Sequence, residues 1–153
     1  MVKRIIWIFS IIGVLIFAGL TAVLMAGDSH IRIPAIAALV TFCSIVLSYL
    51  GGIEGGLALG ESQATDGASG DATEKWRAIS LCLSVLPTLA AWGVLWLDSP
   101  QHQIGAALAI FAVVWGFDLW LARHGLVASW FLDMRTLVTV LACATLGAAL
   151  WLL

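Results

Sequence analysis

Four ionisable residues lie near the ends of long apolar stretches of this sequence, where a charge costs free energy unless it has a partner. They are Glu54, Asp118, Arg123 and Arg135. An ionisable side chain inside an apolar span by default faces the interior of the protein and pairs there, and a carboxylate pairs best with a guanidinium group. The sequence therefore predicts a polar cluster of Glu54, Asp118 and Arg135, with Arg123 as a further member.

This predicted polar cluster has three interpretations. It is a charge-paired clamp that sets the order of the helices, a site for a ligand or ion, or a proton relay between Glu54 and Asp118. The relay is the weakest of the three, because no polar residue in the opposite half of the apolar stretches completes a path. No nucleophile or oxyanion arrangement accompanies the two carboxylates, so we predict no enzymatic activity.

The cysteines and histidines offer little further chemistry. Cys43, Cys82 and Cys143 each lie inside an apolar run without the spacing of a metal or disulfide motif. We expect all three to be small buried hydrophobic residues. His30 and His102 fall in separate connections without a set of ligands around them, so no metal site is predicted. The sequence leaves any cofactor open.

The composition indicates a protein that is surrounded by lipid rather than by water. Apolar residues make up 62% of the 153 residues and charged residues only 10%, against roughly 45–50% and 25% in soluble domains. So few charges cannot cover the surface of a water-soluble globule, so we expect a lipid bilayer as the main partner. The formal net charge of −2 gives no reason to expect nucleic-acid binding.

Five apolar runs are long enough, or nearly so, to supply the ~20 residues that a membrane-spanning helix needs. They are residues 5–26, 34–60, 78–97, 104–122 and 134–153. The first run exceeds the ~7–15 residues of a signal-peptide core, so an uncleaved helix is the better interpretation. The sequence thus predicts an all-α fold: one integral membrane domain over residues 1–153, built as a bundle of five transmembrane helices.

Short connections are predicted between these runs. Residues 27–30 form a tight link, and residues 61–70 form the one substantial polar loop. Asp71 followed by Glu74 resembles a capping box that opens the third helix. Residues 126–132 resemble an amphipathic turn at the membrane interface.

The basic residues predict the orientation of the bundle. With five spans and the N-terminus in the cytoplasm, the only basic residue outside is Arg32. The inner side holds Lys3, Arg4, Lys75, Arg77, Arg123 and Arg135. This asymmetry follows the positive-inside rule. We therefore expect a multi-pass protein of the bacterial inner (cytoplasmic) membrane, with its C-terminus outside.

A stripe of small residues marks the second apolar run. Its members follow one another at a spacing of four: Ser44, Ser48, Gly52, Gly56 and Gly60. Such a spacing predicts one nearly straight face along a helix, and small residues let two helices approach closely in a membrane. The stripe is a packing surface within the bundle, a homodimer face, or a slot for a flat ligand.

Three segments resemble a known family. They are residues 48–59 (SYLGGIEGGLAL), residues 84–92 (SVLPTLAAW) and a C-terminal pattern of Asp118, Gly125, Trp130-Phe131, Arg135 and Thr139. In this order, over about residues 34–150, they resemble a membrane-protein family of unknown function that includes mitochondrial transmembrane protein 69 and bacterial relatives. The resemblance implies the fold and topology but no reaction. Relatives commonly carry His-Trp where this chain has Glu54-Gly55.

Two functions fit these observations. The first is an accessory or partner subunit of a larger membrane complex, which would bind another membrane protein or a second copy of the chain. The alternative is a binder or transporter of a small lipophilic or amphipathic molecule, held in an inner-leaflet cavity near Glu54 and Asp118. Pro87 favours such a cavity, because a proline inside a helix removes a backbone hydrogen bond and predicts a kink.

Overall fold

The computed structural model of the chain describes residues 2–64, 71–123 and 129–153. Within these ranges the chain forms five α-helices and no strand. The helices are α1 (Val2–Ala26), α2 (Ser29–Ala64), α3 (Asp71–Val94), α4 (Pro100–Arg123) and α5 (Ser129–Trp151). The prediction of an all-α chain with five helices is confirmed.

The first and last helices run parallel. Near the start of α1, the Ser10 hydroxyl donates a hydrogen bond to the sulfur of Met134 in α5 at 3.4 Å. Three turns further on, the Thr21 hydroxyl donates to the backbone carbonyl of Thr145 at 3.4 Å. Residue numbers rise together along both helices, so α1 and α5 point in the same direction. The first residues of α1 and of α5 therefore lie at the same end of the bundle.

Neighbouring helices along the chain are antiparallel. The Ser44 hydroxyl of α2 donates to the carbonyl of Ala91 in α3 at 3.1 Å, whereas Gly51, further along α2, packs against the earlier residue Ser84. Residues 95–99 join α3 to α4, and five residues reach at most about 18 Å. That is too short to return along α3, whose 24 residues extend for about 36 Å. The bundle is thus an up-and-down arrangement.

The helices close into a ring around a hydrophobic core. Each helix contacts the next, α1 contacts α5, α2 and α4 touch across the interior, and the largest interface joins α2 to α3. Phe17 of α1 is buried at the centre, with its ring 4.9 Å from that of Phe42 and 6.1 Å from that of Phe111, both edge-on. Edge-to-face rings add a small attraction to the area that they bury.

Four of the helices contain segments that are long and apolar enough to cross a membrane. These segments are Arg4–Ala26, His30–Ile53, Pro100–Arg123 and Ser129–Trp151. In α3 the apolar helical segment among the described residues is the shorter Ser84–Val94. Large apolar side chains cover the outside of the helices, and such a surface is unfavourable in water. The chain is therefore a membrane-embedded protein.

The second helix begins earlier than its apolar run. It starts at Ser29, and the backbone amides of Ile31 and Arg32 both donate to the carbonyl of Asp28. The helix therefore begins about one turn before Pro34, where its apolar run starts. Polar side chains precede the apolar run here, but the backbone hydrogen bonding of the helix already includes them. Hydropathy alone therefore places the start of the helix too late in the sequence.

The same reason corrects two predicted connections. Residues 61–64, expected to open the polar loop, form the last turn of α2, while residues 65–70 lie outside the described residues. Residues 129–132, expected in an interfacial turn, form the first turn of α5. A charged or polar side chain ends a membrane span without ending a helix.

Side chains close the connection between α3 and α4. The amide of Gln103 donates to the carbonyl of Leu97 at 2.9 Å and so satisfies a group beyond the last turn of α3. The Ser99 hydroxyl accepts a bond from the backbone amide of His102 at 3.2 Å, the usual role of an N-cap serine. With Pro100 in the first turn of α4, these residues determine where that helix begins.

Candidate functional site: a buried aspartate–arginine pair

A charge pair joins α4 to α5 inside the bundle. The Nη2 and Nε atoms of Arg135 lie 2.6 and 2.8 Å from the same carboxylate oxygen, Oδ2, of Asp118. The two side chains are only 3% and 1% exposed. The structure thus brings together two members of the predicted polar cluster, both shielded from the bundle surface.

The spacing of residues along α4 and α5 explains why these side chains point inward. Buried residues follow one another at intervals of three or four along both helices, apart from the adjacent Met134 and Arg135 in α5, which keeps them on one face. In α4 they are Ile104, Ala107, Phe111, Val114, Asp118 and Leu121. In α5 they are Phe131, Met134, Arg135, Thr139, Ala142, Leu146 and Ala149. Asp118 and Arg135 therefore occupy core positions that otherwise hold mostly apolar residues.

Three further contacts surround the pair. The indole Nε1 of Trp115 donates to the hydroxyl of Thr136 at 3.0 Å, one turn away. The Thr136 hydroxyl in turn donates to the carbonyl of Leu132 at 2.8 Å. The guanidinium carbon of Arg135 lies 5.9 Å from the centre of the Phe131 ring, within the range of a cation–π contact. Of these contacts, the bond from Trp115 to Thr136 joins α4 to α5 beside the pair.

The arrangement is suited to joining helices. In a low-dielectric interior two opposite charges attract strongly, and removal of either leaves the other with a large desolvation cost. Arg135 begins about six residues into α5, roughly 9 Å along its axis, from where a long side chain often reaches the membrane surface. It turns instead toward Asp118.

The other predicted members of the cluster lie elsewhere or outside the described part. Arg123 is the last residue of α4 and is exposed. Glu54 belongs to α2, but its side chain lies outside the described residues. The part of the cluster that the structure describes is therefore the Asp118–Arg135 pair.

The sequence of this bundle matches one family model over residues 2–151, a protein family of unknown function, DUF3429. The chain belongs to the DUF3429 family. The match covers all five helices and both members of the buried pair, in agreement with the resemblance to an uncharacterised membrane-protein family. No curated protein and no solved structure matches the chain. The expected link to transmembrane protein 69 stays a prediction.

The small-residue stripe of this DUF3429 protein is divided between two faces. Ser44 contacts α3 and Ser48 is half-buried, but a Cβ atom built on Gly52 or Gly56 would meet nothing within 4 Å. The residue in close contact with α3 is Gly51, which stands beside Gly52 and, with Gly55, widens the predicted stripe.

The reason is the helical repeat. Each step of four residues overshoots a full turn of 3.6 by about 40°, so a spacing of four drifts around the helix. Gly52 stands about 80° from Ser44, whereas Gly51, seven residues on, stands only about 20° away. Ser44 and Gly56 therefore point in directions about 120° apart, and the surroundings of Gly60 lie outside the described residues.

The three cysteines differ in burial. Cys43 is buried in the core and Cys143 is half-buried, but Cys82 is exposed. The expectation of burial is wrong for Cys82, because it stands two residues, about 200°, from the buried Ser84 and so faces away from the bundle. Among the side chains that the structure describes, no three of His, Cys, Asp and Glu are grouped to hold a metal ion.

A groove lies between α3 and α4, and Pro87, the residue that favoured a cavity in the sequence, is part of its lining. It has a volume of about 280 Å³. Its lining is apolar throughout: Leu86, Pro87, Ala90, Ala109, Ile110, Val113, Val114 and Phe117. The α-helix continues through Pro87 without interruption, so the kink stays a prediction. Hydropathy marks such residues as apolar but says nothing about the space between two helices.

Proposed function

We propose that this DUF3429 protein is a non-enzymatic, multi-pass membrane protein that acts as a partner subunit of a larger membrane complex. The proposal is carried by the outer face of α2, where Gly52 and Gly56 are exposed and, among the residues that the structure describes, have no neighbour within 4 Å of a built Cβ. Two glycines four residues apart let another helix approach closely, and lipid chains offer no comparable packing. The occupant of this face is a helix of another membrane protein, or of a second copy.

The proposed topology has five membrane spans, with α3 as the third. Its support is the alternation of helix directions, which carries the chain along the bundle five times. We place the N-terminus in the cytoplasm and the C-terminus outside, in a bacterial cytoplasmic membrane, from the distribution of basic residues. Arg135 is buried, so we leave it out of the comparison of basic residues on the two sides of the membrane. Five basic residues remain on the inner side, against Arg32 on the outer side. Kinship with transmembrane protein 69 belongs to the same proposal.

Leucine at Gly52 and Gly56 is expected to release the partner. Two large side chains on the outer face of α2 prevent a helix from approaching, so a tagged Gly52→Leu/Gly56→Leu variant should migrate as a smaller species than the parent. The measurement is native electrophoresis and co-purification from native membranes in mild detergent. A loss of at least about tenfold in associated partner is expected.

Gly116→Leu provides the matched control, because Gly116 is also exposed on a helix and also has no neighbour within 4 Å. It adds the same apolar surface elsewhere, and its complex should survive. A parent chain that is only ever monomeric, or a complex unaffected by both leucines, would contradict the proposal.

Within this function we assign the Asp118–Arg135 pair the role of a clamp between α4 and α5. The support is that two guanidinium nitrogens donate to one carboxylate oxygen. Both bonds join Arg135 of α5 to Asp118 of α4, which is the connection between helices that a clamp requires. The clamp therefore fits the geometry better than the relay between Glu54 and Asp118.

A second candidate function is binding of a small lipophilic molecule, favoured by the groove between α3 and α4. Its apolar lining suits a hydrocarbon chain, and its volume lies near the lower end for ligand pockets. Asp118 is not among the lining residues, so the site differs from the inner-leaflet cavity expected near Glu54 and Asp118.

Filling this groove is expected to weaken binding of a fluorescent fatty acid. Ala109→Phe places a ring in the groove, so saturable energy transfer from tryptophan to the bound probe should need about tenfold more probe. Ala112→Phe adds the same ring at an exposed position of α4 outside the lining. Equal binding of the probe by the parent and both variants would show that the groove is not the binding site.

A further inference from the structure

We propose that α5 enters the membrane together with α4, and that the Asp118–Arg135 bond favours this entry. The inference goes beyond the role of a partner subunit, because it concerns how the chain assembles. Its first support is that α5 has the lowest mean hydropathy of the four candidate spans. By composition α5 is the most weakly inserted of them.

The second support is where the charge of Arg135 goes. The side chain starts about 9 Å from the beginning of α5. It is only 3% exposed and lies against Asp118. The observed direction of the side chain therefore requires α4 to lie beside α5.

The third support is the hairpin that α4 and α5 form. Two side-chain bonds at adjacent levels, from Arg135 to Asp118 and from Trp115 to Thr136, cross the same interface. When both charges enter as a bonded pair, the lipid meets a neutral unit rather than two separate ions. The α4–α5 hairpin is therefore the unit of insertion, and α1 then packs along α5 through Ser10 and Thr21.

The test uses the full chain with a tag placed after Leu153. Shortly after synthesis, a membrane-impermeant reagent labels the tag from each side of sealed vesicles, which reports whether α5 has crossed. In Asp118→Asn the fraction of chains with α5 across should fall about fivefold, because Arg135 enters without that carboxylate. In the double variant Asp118→Asn/Arg135→Gln the fraction should return to that of the parent.

Asp98→Asn is the matched control, since Asp98 is exposed in the connection between α3 and α4. It makes the same chemical change and should leave the tag where the parent has it. Crossing by Asp118→Asn at the parental level would overturn the proposal. So would a double variant as defective as the single one. A variant that crosses normally but unfolds readily in detergent would also overturn it, because the pair would then act only after insertion.

Discussion

Asparagine at Asp118 is expected to lower the free energy of unfolding in mild detergent by about 3 kcal/mol. The substitution keeps the shape of the side chain but removes the charge that faces the guanidinium of Arg135. That guanidinium is 3% exposed, so water does not replace the lost carboxylate without rearrangement of the bundle. The measurement is unfolding followed by tryptophan fluorescence as a denaturing detergent is titrated into the micelles.

We expect this free energy to come from the pairing of Asp118 with Arg135 rather than from either side chain alone. Arg135→Gln should cost a similar free energy, and the double variant Asp118→Asn/Arg135→Gln should lose clearly less than the two single losses combined. A coupling of at least about 1.5 kcal/mol is expected for charges this close. Losses that simply add would show that Asp118 and Arg135 contribute through other contacts.

Alanine at Gly51 is expected to lower the free energy of unfolding by about 2–3 kcal/mol. A Cβ atom on Gly51 would collide with the backbone carbonyl oxygen of Ser84 in α3, with the hydroxyl of Thr88 nearby at 3.4 Å. A side chain could rotate away, but a carbonyl inside a helix cannot, so α2 and α3 must move apart. This interface is the largest in the bundle, and any separation removes dispersion contacts along its length.

Gly52→Ala is the matched control for Gly51→Ala, because the two glycines are adjacent and a Cβ on Gly52 meets nothing within 4 Å. Alanine favours a helix over glycine, so this variant should equal the parent or gain up to about 1 kcal/mol. Equal losses at the two positions would show that α3 does not depend on Gly51. Monomer stability is the readout here, which separates it from loss of a partner by leucine at Gly52 and Gly56.

The buried pair shows how far reasoning from the sequence reached. Asp118 and Arg135 were singled out because ionisable residues in apolar runs need partners, and the structure brings them within 2.6 Å of each other. Arg123 was included on the same ground but is exposed at the end of α4. The free-energy cost of a charge in lipid identifies residues by their type. The direction of a side chain depends instead on which face of the helix it occupies.

The small-residue stripe shows where such reasoning stopped. Spacing in the sequence did identify α2 as the helix with unusual packing, but it left open which of its small residues meets α3. One position along a helix is about 100° of rotation. Which of these faces meets α3 depends on how every helix of the bundle turns to bury its own apolar side, and no single segment contains that information.

The sequence by itself determined the membrane class, the five helices and the need for a buried charge pair. These follow from local properties: the length of apolar runs, the helical backbone and the cost of charge in lipid. Only the tertiary structure decided the closure of α1 against α5, the contact at Gly51, the groove beside Pro87 and the inward turn of Arg135. Each of these depends on distances between helices far apart in the chain, which packing sets and composition does not.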